Sequence, residues 1–521
     1  MFSLGPKTIA AENSMDTIHK KTKTISGSLA ALLASSIVIA FAIISFESEL
    51  RLAVPLLVGT TAVITVVLSF ALYYGELGRL AWSPTVILVA ALLMRLLFLS
   101  APPQLSDDIY RYLWDGSNTL SGTNPYTAAP STVKPSPVLA HIHSRINHPD
   151  YVTIYPPMAQ VLFGGGASLG GSITGLKAFL VLIDIGLCAL LIVILKKLEM
   201  PVWRSVLYAW NPLPVLEIAG SGHVDGAGLA LVMAAFYLLL FERKIPDATA
   251  SRNWPFLLSG ALLACAGLVK LIPFIFAPAL LLLVPPGKRR YFFVSSIVMA
   301  VLLGAPFLPH LANINSSLSA YANNWEFAGF AFNTLRTFTG SGAIARLLLS
   351  VCFLLVLCVT MYRLARKNKL TTSLSTKALQ ALKACYVVAL AFLLLTPTLQ
   401  PWYALVLVAF LPFCAGPAGL VLCWAVFLTY QVHIPYFIQG QWIENPLVTA
   451  AVFLAPVTAY LISRFSNRLA EFCSNNQRWK DGSNSPISLA TTRAKPNGKS
   501  RNNGMANQVS RSQTKNIGSR Q

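Results

Sequence analysis

Charged residues are scarce in this chain. They make up 11% of its 521 residues, whereas soluble globular proteins carry about 25%. Acidic residues are the rarer sign, with 19 Asp and Glu against 40 Lys and Arg. This composition argues against a soluble globular domain, and 55% of the residues are hydrophobic instead. They form long apolar runs, and each run must be helical because lipid offers the backbone no hydrogen-bond partner.

Other features are also missing. None of the eight cysteines forms a C-x-x-C pair, so we predict no disulfide framework and no zinc site. No glycine-rich nucleotide fingerprint stands out in a soluble-looking domain. The net charge of +21 would suggest nucleic acid in a soluble protein. Here the basic residues lie between apolar runs and at both ends, as the positive-inside rule requires. We therefore predict no metal, no cofactor and no nucleic-acid partner.

The apolar runs predict an all-α polytopic membrane fold with roughly 12–14 transmembrane helices. The predicted spans are 26–46, 52–74, 80–99, 174–195, 203–219, 222–241, 254–271, 273–284, 292–308, 343–362, 383–399, 402–414, 416–433 and 446–463. The runs 273–284 and 402–414 are short enough to be half-helices. The Gly-rich stretch 157–172 is also short, so we expect it to be re-entrant or interfacial.

The basic clusters set the expected orientation. Placing them in the cytoplasm puts the long loop 100–156 on the opposite face, together with 309–342 and 434–445. We predict a cytoplasmic segment 1–25 before an uncleaved signal anchor. The membrane domain then covers 26–463, and 464–521 is a basic, disordered cytoplasmic tail.

The first loop carries the most informative motif, which begins with Asp107 and Asp108 just beyond the third span. Mutual repulsion raises the pKa of one carboxyl in such a pair, which suits a general base. Arg111, one helical turn later, is predicted to pair with Asp108. Tyr110 and Trp114 suit the membrane interface. The alternative is an interfacial amphipathic helix with ordinary capping acids.

Two further motifs fall on the same side of the predicted topology. Glu217, His223 and Asp225 lie within nine residues, at a turn between two spans. Ionisable groups in or near a membrane are costly and are candidates for function, although an exposed turn would also explain them. Lys270 interrupts an apolar stretch at the outer end of a span. It is suited to bind phosphate or, alternatively, to snorkel towards headgroups.

Trp402, Tyr403 and Arg336 complete the set. The prolines around the two aromatics break the helix, and Arg336 is a further cation on the predicted outer face. The basic clusters that orient the chain share no residue with the acidic and aromatic motifs. Nevertheless, every motif falls on the non-cytoplasmic face, so we predict one external active site.

The motifs resemble GT-C-type glycosyltransferases, most closely the bacterial polyprenyl-phosphate-mannose-dependent mannosyltransferases. In order and spacing the resemblance covers about residues 80–460. It rests on the block Asp107–Gly116, on Gly122-x-Asn124-Pro125-Tyr126, on Tyr155-Pro156-Pro157, on Trp210-Asn211-Pro212 through Gly222-His223-x-Asp225, on Lys270-Leu271-x-Pro273 and on Pro401-Trp402-Tyr403.

The resemblance implies a GT-C-like fold whose external first loop carries short interfacial helices. It also implies a polyprenyl-phosphate sugar donor, a glycan or glycolipid acceptor, and direct displacement with inversion at the anomeric carbon. Asp107 would be the general base, assisted by Asp108. The donor phosphate would contact Lys270, Arg336 and Arg111. The expected substrate-binding residues are Tyr110, Trp114, Asn124, Tyr126, Tyr155, Glu217, His223, Asp225, Trp402 and Tyr403.

Several alternatives remain open at this stage. Mannose is the expected hexose from the resemblance, but arabinose or glucose fits the residues equally well. A membrane transporter or flippase of lipid-linked sugars is the main rival, although such proteins often show internal repeats and none is evident. A glycan ligase or polymerase of the cell envelope is a third possibility. The expected location is the inner or plasma membrane, with the site on the periplasmic or extracellular side.

Overall fold

The computed structural model describes residues 27–241 and 253–480. The predicted cytoplasmic segment 1–25, the basic residues between 243 and 252, and the tail beyond 480 lie outside the described residues. Helix is the only regular secondary structure described. Two isolated β-bridges join Phe327 and Ala328 to Thr398.

The α-helices are numbered in chain order. They are α1 Gly27–Ser45, α2 Val54–Glu76, α3 Pro84–Leu99, α4 Asp108–Leu120, α5 Ala140–His143, α6 Pro157–Ala167, α7 Ile173–Lys197, α8 Val206–Ala209, α9 Asp225–Phe241, α10 Trp254–Val269, α11 Ala277–Leu283, α12 Arg289–Gly304, α13 Ile314–Asn324, α14 Phe330–Thr339, α15 Gly342–Leu370, α16 Leu374–Leu395, α17 Leu405–Val408, α18 Leu411–Cys414, α19 Pro417–Ala425, α20 His433–Gln439 and α21 Pro446–Lys480.

Eight helical segments of the described chain are long and apolar enough to cross a membrane, and four shorter apolar helices accompany them. The long ones are Gly27–Ser45, Val54–Glu76, Ile173–Lys197, Pro286–Phe307, Gly342–Leu370, Leu374–Leu395, Pro417–Gln439 and Pro446–Ser466. The prediction of an all-α polytopic membrane protein is confirmed. Helix α21 continues to Lys480, past the predicted end of the membrane domain at residue 463.

Two predicted spans are not continuous helices. Segment 203–219 consists of the 3₁₀-helix Val202–Ser205, then α8, then the π-helix Pro214–Gly220. Pro212 and Pro214 explain this break, because proline lacks the N–H that a continuous helix requires. Segment 402–414 is likewise divided, into the 3₁₀-helix Pro401–Ala404, α17 and α18. Interrupted helices place backbone turns and polar side chains at membrane depth, where a site can form.

The Gly-rich segment 157–172 begins with α6. Its 11 residues span about 16 Å at 1.5 Å per residue, which is about half the thickness of a bilayer core. Helix α6 packs closely against α4, and Gly116 makes this contact possible. A Cβ at Gly116 would lie 2.3 Å from the Phe163 carbonyl oxygen. Thus α6 supports the first loop.

A buried ion pair joins α3 to α7. Arg95 Nε is 2.5 Å from Asp184 Oδ2, and both side chains are almost completely buried. Arg95 also donates to the Ala209 carbonyl at 2.9 Å, and the Tyr208 hydroxyl donates to Asp184. A charge pair of this kind is tolerated within apolar helices only when its remaining polar atoms are also satisfied.

Lys177, near the start of α7, stabilises the end of α3. Its Nζ donates to the carbonyls of Phe98 at 2.6 Å and Ala101 at 2.7 Å. A cation at a helix C-terminus is favoured because the last carbonyls lack intrahelical partners. Lys177 therefore anchors the point at which the chain leaves α3 and enters the first loop.

Candidate active site

The two acids of the first loop stand at the start of α4. Asp107 is the N-cap residue and Asp108 is the first helical residue, where the helix dipole stabilises negative charge. The Asp108 carboxylate accepts hydrogen bonds from Asn147 Nδ2 at 2.9 Å and from the Tyr155 hydroxyl at 3.3 Å. These two donors fix its orientation.

Asp107 is placed differently from its neighbour. Its side chain is exposed and makes no capping hydrogen bond. The surrounding protein limits hydration of the carboxylate and so raises the pKa of Asp107. Asp108 raises it further, while Arg51 and Arg145 oppose the shift. An accessible carboxylate with increased proton affinity is suited to remove a proton from a hydroxyl group.

A buried imidazole lies on the inner side of Asp108. His223 Nδ1 is 3.9 Å from Asp108 Oδ2, and His223 Nε2 is 3.6 Å from Glu217 Oε2. The ring stacks on Trp402 with 4.0 Å between ring centroids. Glu217 accepts hydrogen bonds from the Tyr430 hydroxyl at 2.8 and 3.0 Å. Four distant parts of the chain therefore meet at this imidazole.

Lys270 lies on the other side of Tyr155. Its Nζ is 2.7 Å from Asp225 Oδ2, and it lies 5.9 Å from the Tyr155 ring centroid and 5.6 Å from that of Tyr403. A shallow cleft opens beside Lys270. Its lining includes Asp225 and Tyr403 and is otherwise mainly apolar, with Gly228, Leu229, Val269, Ile272, Pro273 and Val406. Tyr155 thus contacts both the Asp108 carboxylate and the Lys270 ammonium.

The predicted pair between Arg111 and Asp108 is wrong. Arg111 Nε is 2.9 Å from Asp115 Oδ1, and the same guanidinium donates to the Tyr151 carbonyl at 3.0 Å. Arg111 and Asp115 are both buried and lie four residues apart, on one face of α4. In this structure Arg111 is neutralised and braces α4 against the loop.

Asn124 and Tyr126, predicted to bind substrate, make structural contacts within the described chain. Asn124 Nδ2 donates to the Phe307 carbonyl at 2.8 Å. The Tyr126 hydroxyl donates to the Tyr155 carbonyl at 2.6 Å. The two side chains therefore hold the first loop against the 305–307 turn and fix the backbone of Tyr155, whose own hydroxyl contacts Asp108.

Tyr110 and Trp114 are buried on α4. The Tyr110 hydroxyl accepts a hydrogen bond from Arg145 at 2.8 Å, and Trp114 packs on His143 with 4.9 Å between ring centroids. Both contacts attach the segment 143–145 to α4. Neither predicted interfacial aromatic lies in the cleft beside Lys270.

Arg336 is not in contact with this cluster in the described structure. It forms an ion pair with Glu326, which also pairs with Arg346 at 2.8 Å. Both guanidinium groups lie over the Phe332 ring. Arg336 is therefore held by Glu326 on α14, and of the three predicted phosphate ligands only Lys270 contacts the acids and aromatics of the site among the described residues.

Sequence reasoning missed three polar residues of the site. Asn147 donates to Asp108, Tyr430 donates to Glu217, and the Tyr321 hydroxyl forms a hydrogen bond with that of Tyr403. None belongs to a recognised motif. The available signal was weak: Tyr430 follows Thr429 at the end of an apolar run.

Gly222 allows the His223 turn to approach α4. Its φ is +79°, and a Cβ there would lie 2.4 Å from Ile109 Cδ1. We expect Gly222→Ala to lower the free energy of unfolding by about 1–3 kcal/mol through overpacking, and to displace His223. Thermal unfolding of the detergent-solubilised protein tests this. The control is Gly440→Ala, because Gly440 has φ +68° with open space at its Cβ position. Equal effects would exclude the steric explanation.

These features define a multi-pass helical membrane protein. Asp108 lies near His223, Asp225 pairs with Lys270, and an apolar cleft opens beside that lysine. Residues 24–286 match the family described as Alpha-(1->6)-mannopyranosyltransferase, N-terminal domain. The match covers more than half of the chain, so the chain belongs to this family and is a mannosyltransferase. The resemblance to the bacterial mannosyltransferases is confirmed. A search of curated proteins finds no match.

Proposed function

We propose that the protein transfers mannose from a polyprenyl-phosphate-linked donor to the 6-hydroxyl of a mannose residue in a cell-envelope glycan or glycolipid. The observation that carries this proposal is the convergence of Asp108, Tyr155, Lys270 and Asp225, with an apolar cleft beside Lys270. The α-(1→6) linkage follows the family description. Since direct displacement inverts the anomeric carbon, an α-linked product requires a β-linked donor.

The proposed reaction is a single displacement. Asp107 takes the proton of the acceptor hydroxyl while the oxygen attacks the anomeric carbon. The bond from that carbon to the phosphate oxygen breaks, and its electron pair leaves with the lipid phosphate. Negative charge grows on the phosphate in the transition state, which is oxocarbenium-like at the sugar. Lys270 is the cation that stabilises this charge, while Asp108 helps to position the acceptor.

The apolar cleft supports a lipid-linked donor. Leu271 and Phe274, next to Lys270, are 50% and 41% exposed, so apolar side chains continue from the cation to the surface. A polyprenyl chain binds such a surface favourably, with its phosphate at the ammonium. A nucleotide sugar would instead need polar contacts for its base and ribose, for which this cleft offers few groups.

The geometry of α7 supports a site on the non-cytoplasmic face. Lys177 contacts the start of the first loop, whereas Lys196 and Lys197 lie in the last turn of the same helix. The separation between Lys177 and Lys197 is about 30 Å of helix, close to the thickness of a bilayer core. By the positive-inside rule the basic end is cytoplasmic, which puts the acids on the opposite side.

The test uses purified protein in proteoliposomes with radiolabelled β-mannosyl phosphoryl polyprenol and a mannoside acceptor. We expect label in the acceptor, in an α-(1→6) linkage. GDP-mannose, supplied without the lipid donor, should label nothing. Movement of the donor across the bilayer without labelled product would support the flippase alternative instead. Labelled product from GDP-mannose alone would overturn the lipid-linked donor.

A further inference from the structure

His223 is completely buried, and neither ring nitrogen has a hydrogen-bond partner within the described structure. Burying an unsatisfied polar atom costs free energy, so we expect both nitrogens to form hydrogen bonds that offset this cost. Each nitrogen faces a carboxyl group, Nδ1 towards Asp108 at 3.9 Å and Nε2 towards Glu217 at 3.6 Å. These separations exceed a hydrogen bond by about 0.5–1 Å, so hydrogen bonding on both sides requires both distances to shorten.

Glu217 is also completely buried. An isolated carboxylate is very costly in such a place, and a neutral carboxyl group is the usual outcome. Neutral Glu217 can accept from the Tyr430 hydroxyl through its carbonyl oxygen and donate its own O–H to His223 Nε2. The imidazole then carries its proton on Nδ1, which faces Asp108. Each of the three buried side chains then donates to the next group: Tyr430 to Glu217, Glu217 to His223, and His223 to Asp108.

We propose that Tyr430, Glu217 and His223 form a directed hydrogen-bond chain that orients the Asp108 carboxylate. This inference rests on the proposed function, in which Asp108 supports the transfer. His223 is therefore a positioning residue, and its burial keeps it from touching substrate directly. Trp402 fixes the plane of the imidazole by stacking. The ring is therefore held with its Nδ1–H directed towards Asp108.

Other groups also act on these side chains. Asp108 is faced by Asp107, by Asn147 and Tyr155 from the loop, and by Asp225 from α9, while Lys270 acts on His223. Asn147 and Tyr155 already donate to Asp108, so a third donor is expected to refine the orientation of its carboxylate rather than set it alone. The predicted effect is correspondingly moderate.

The test compares His223→Phe, Glu217→Leu and Glu217→Gln in the mannosyl-transfer assay. Phenylalanine keeps the stacking on Trp402 but has no Nδ1–H. We expect His223→Phe and Glu217→Leu to lower kcat about tenfold, with little change in the donor KM. Glu217→Gln preserves the directed chain and should retain at least about a third of kcat.

The outcomes separate the inference from the proposed function. Absence of transfer by the wild type would reject the function itself. Wild-type transfer with an unchanged kcat in His223→Phe would overturn the chain. A loss of kcat in Glu217→Gln as large as that in Glu217→Leu would show that Glu217 is not a neutral donor to His223. Glu76→Gln is the matched control, because Glu76 pairs with Arg204 at the end of α2. Monodisperse elution and thermal unfolding establish that each variant is folded.

Discussion

Asp107→Asn is expected to lower the rate of mannosyl transfer about a hundredfold or more, since general-base catalysis typically contributes that much. Asparagine is nearly isosteric but accepts a proton far less readily than a carboxylate. Asp107 is exposed and makes no capping hydrogen bond, so the folded state should change little. Initial rates at saturating donor and acceptor measure the effect. Asp150→Asn, an exposed acid in the same loop, is the matched control.

The pH dependence gives a second measurement on the same residue. Asp107 acts only as the carboxylate, so activity should fall as pH decreases through its pKa. Because partial desolvation raises the pKa of Asp107, this fall should occur above the ordinary value of about 3.9. The residual activity of Asp107→Asn should depend less steeply on pH. Wild-type rates in Asp107→Asn, combined with loss in Asp108→Asn, would assign the base to Asp108.

Lys270→Met is expected to lower kcat about a hundredfold, the usual effect of removing one group that stabilises transition-state charge. The substitution also leaves Asp225 without its ion-pair partner at 2.7 Å. An uncompensated carboxylate in this largely buried position is strongly destabilising. Thermal unfolding should therefore occur at a lower temperature in the single variant, and this must be separated from the catalytic effect.

The double variant Lys270→Met/Asp225→Asn makes that separation. Both charges are removed, so we expect stability to recover towards that of the wild type while kcat stays low. Initial rates over a range of donor concentrations and thermal unfolding are measured on the same preparations. Recovery of both stability and rate would mean that Lys270 serves only to neutralise Asp225, and the phosphate role would be rejected.

The fold class was predictable because each membrane span must satisfy its own backbone hydrogen bonds. Length and hydropathy therefore identify a helix without knowledge of its neighbours, as for α2, α7 and α15. The interruptions were harder to predict. Pro212 and Pro214 indicate a break, but the π-helix Pro214–Gly220 also depends on how that segment packs against α3.

The residue types of the site were visible in the sequence because acids and cations are rare beside apolar runs. Their partners were not. Arg111 is one turn from Asp108 and also one turn from Asp115, and spacing alone does not choose between them. The structure pairs Arg111 with Asp115. Arg336, predicted to contact donor phosphate, pairs instead with Glu326.

The sequence by itself determined that this chain is a helical membrane protein and which polar residues its apolar helices carry, because both depend on local composition. Only the tertiary structure decided that His223 lies between Asp108 and Glu217 and that Tyr430 completes the group. The physical reason is that these contacts join segments up to 213 residues apart. Such pairings depend on how the helices pack against one another, and local sequence periodicity does not predict them.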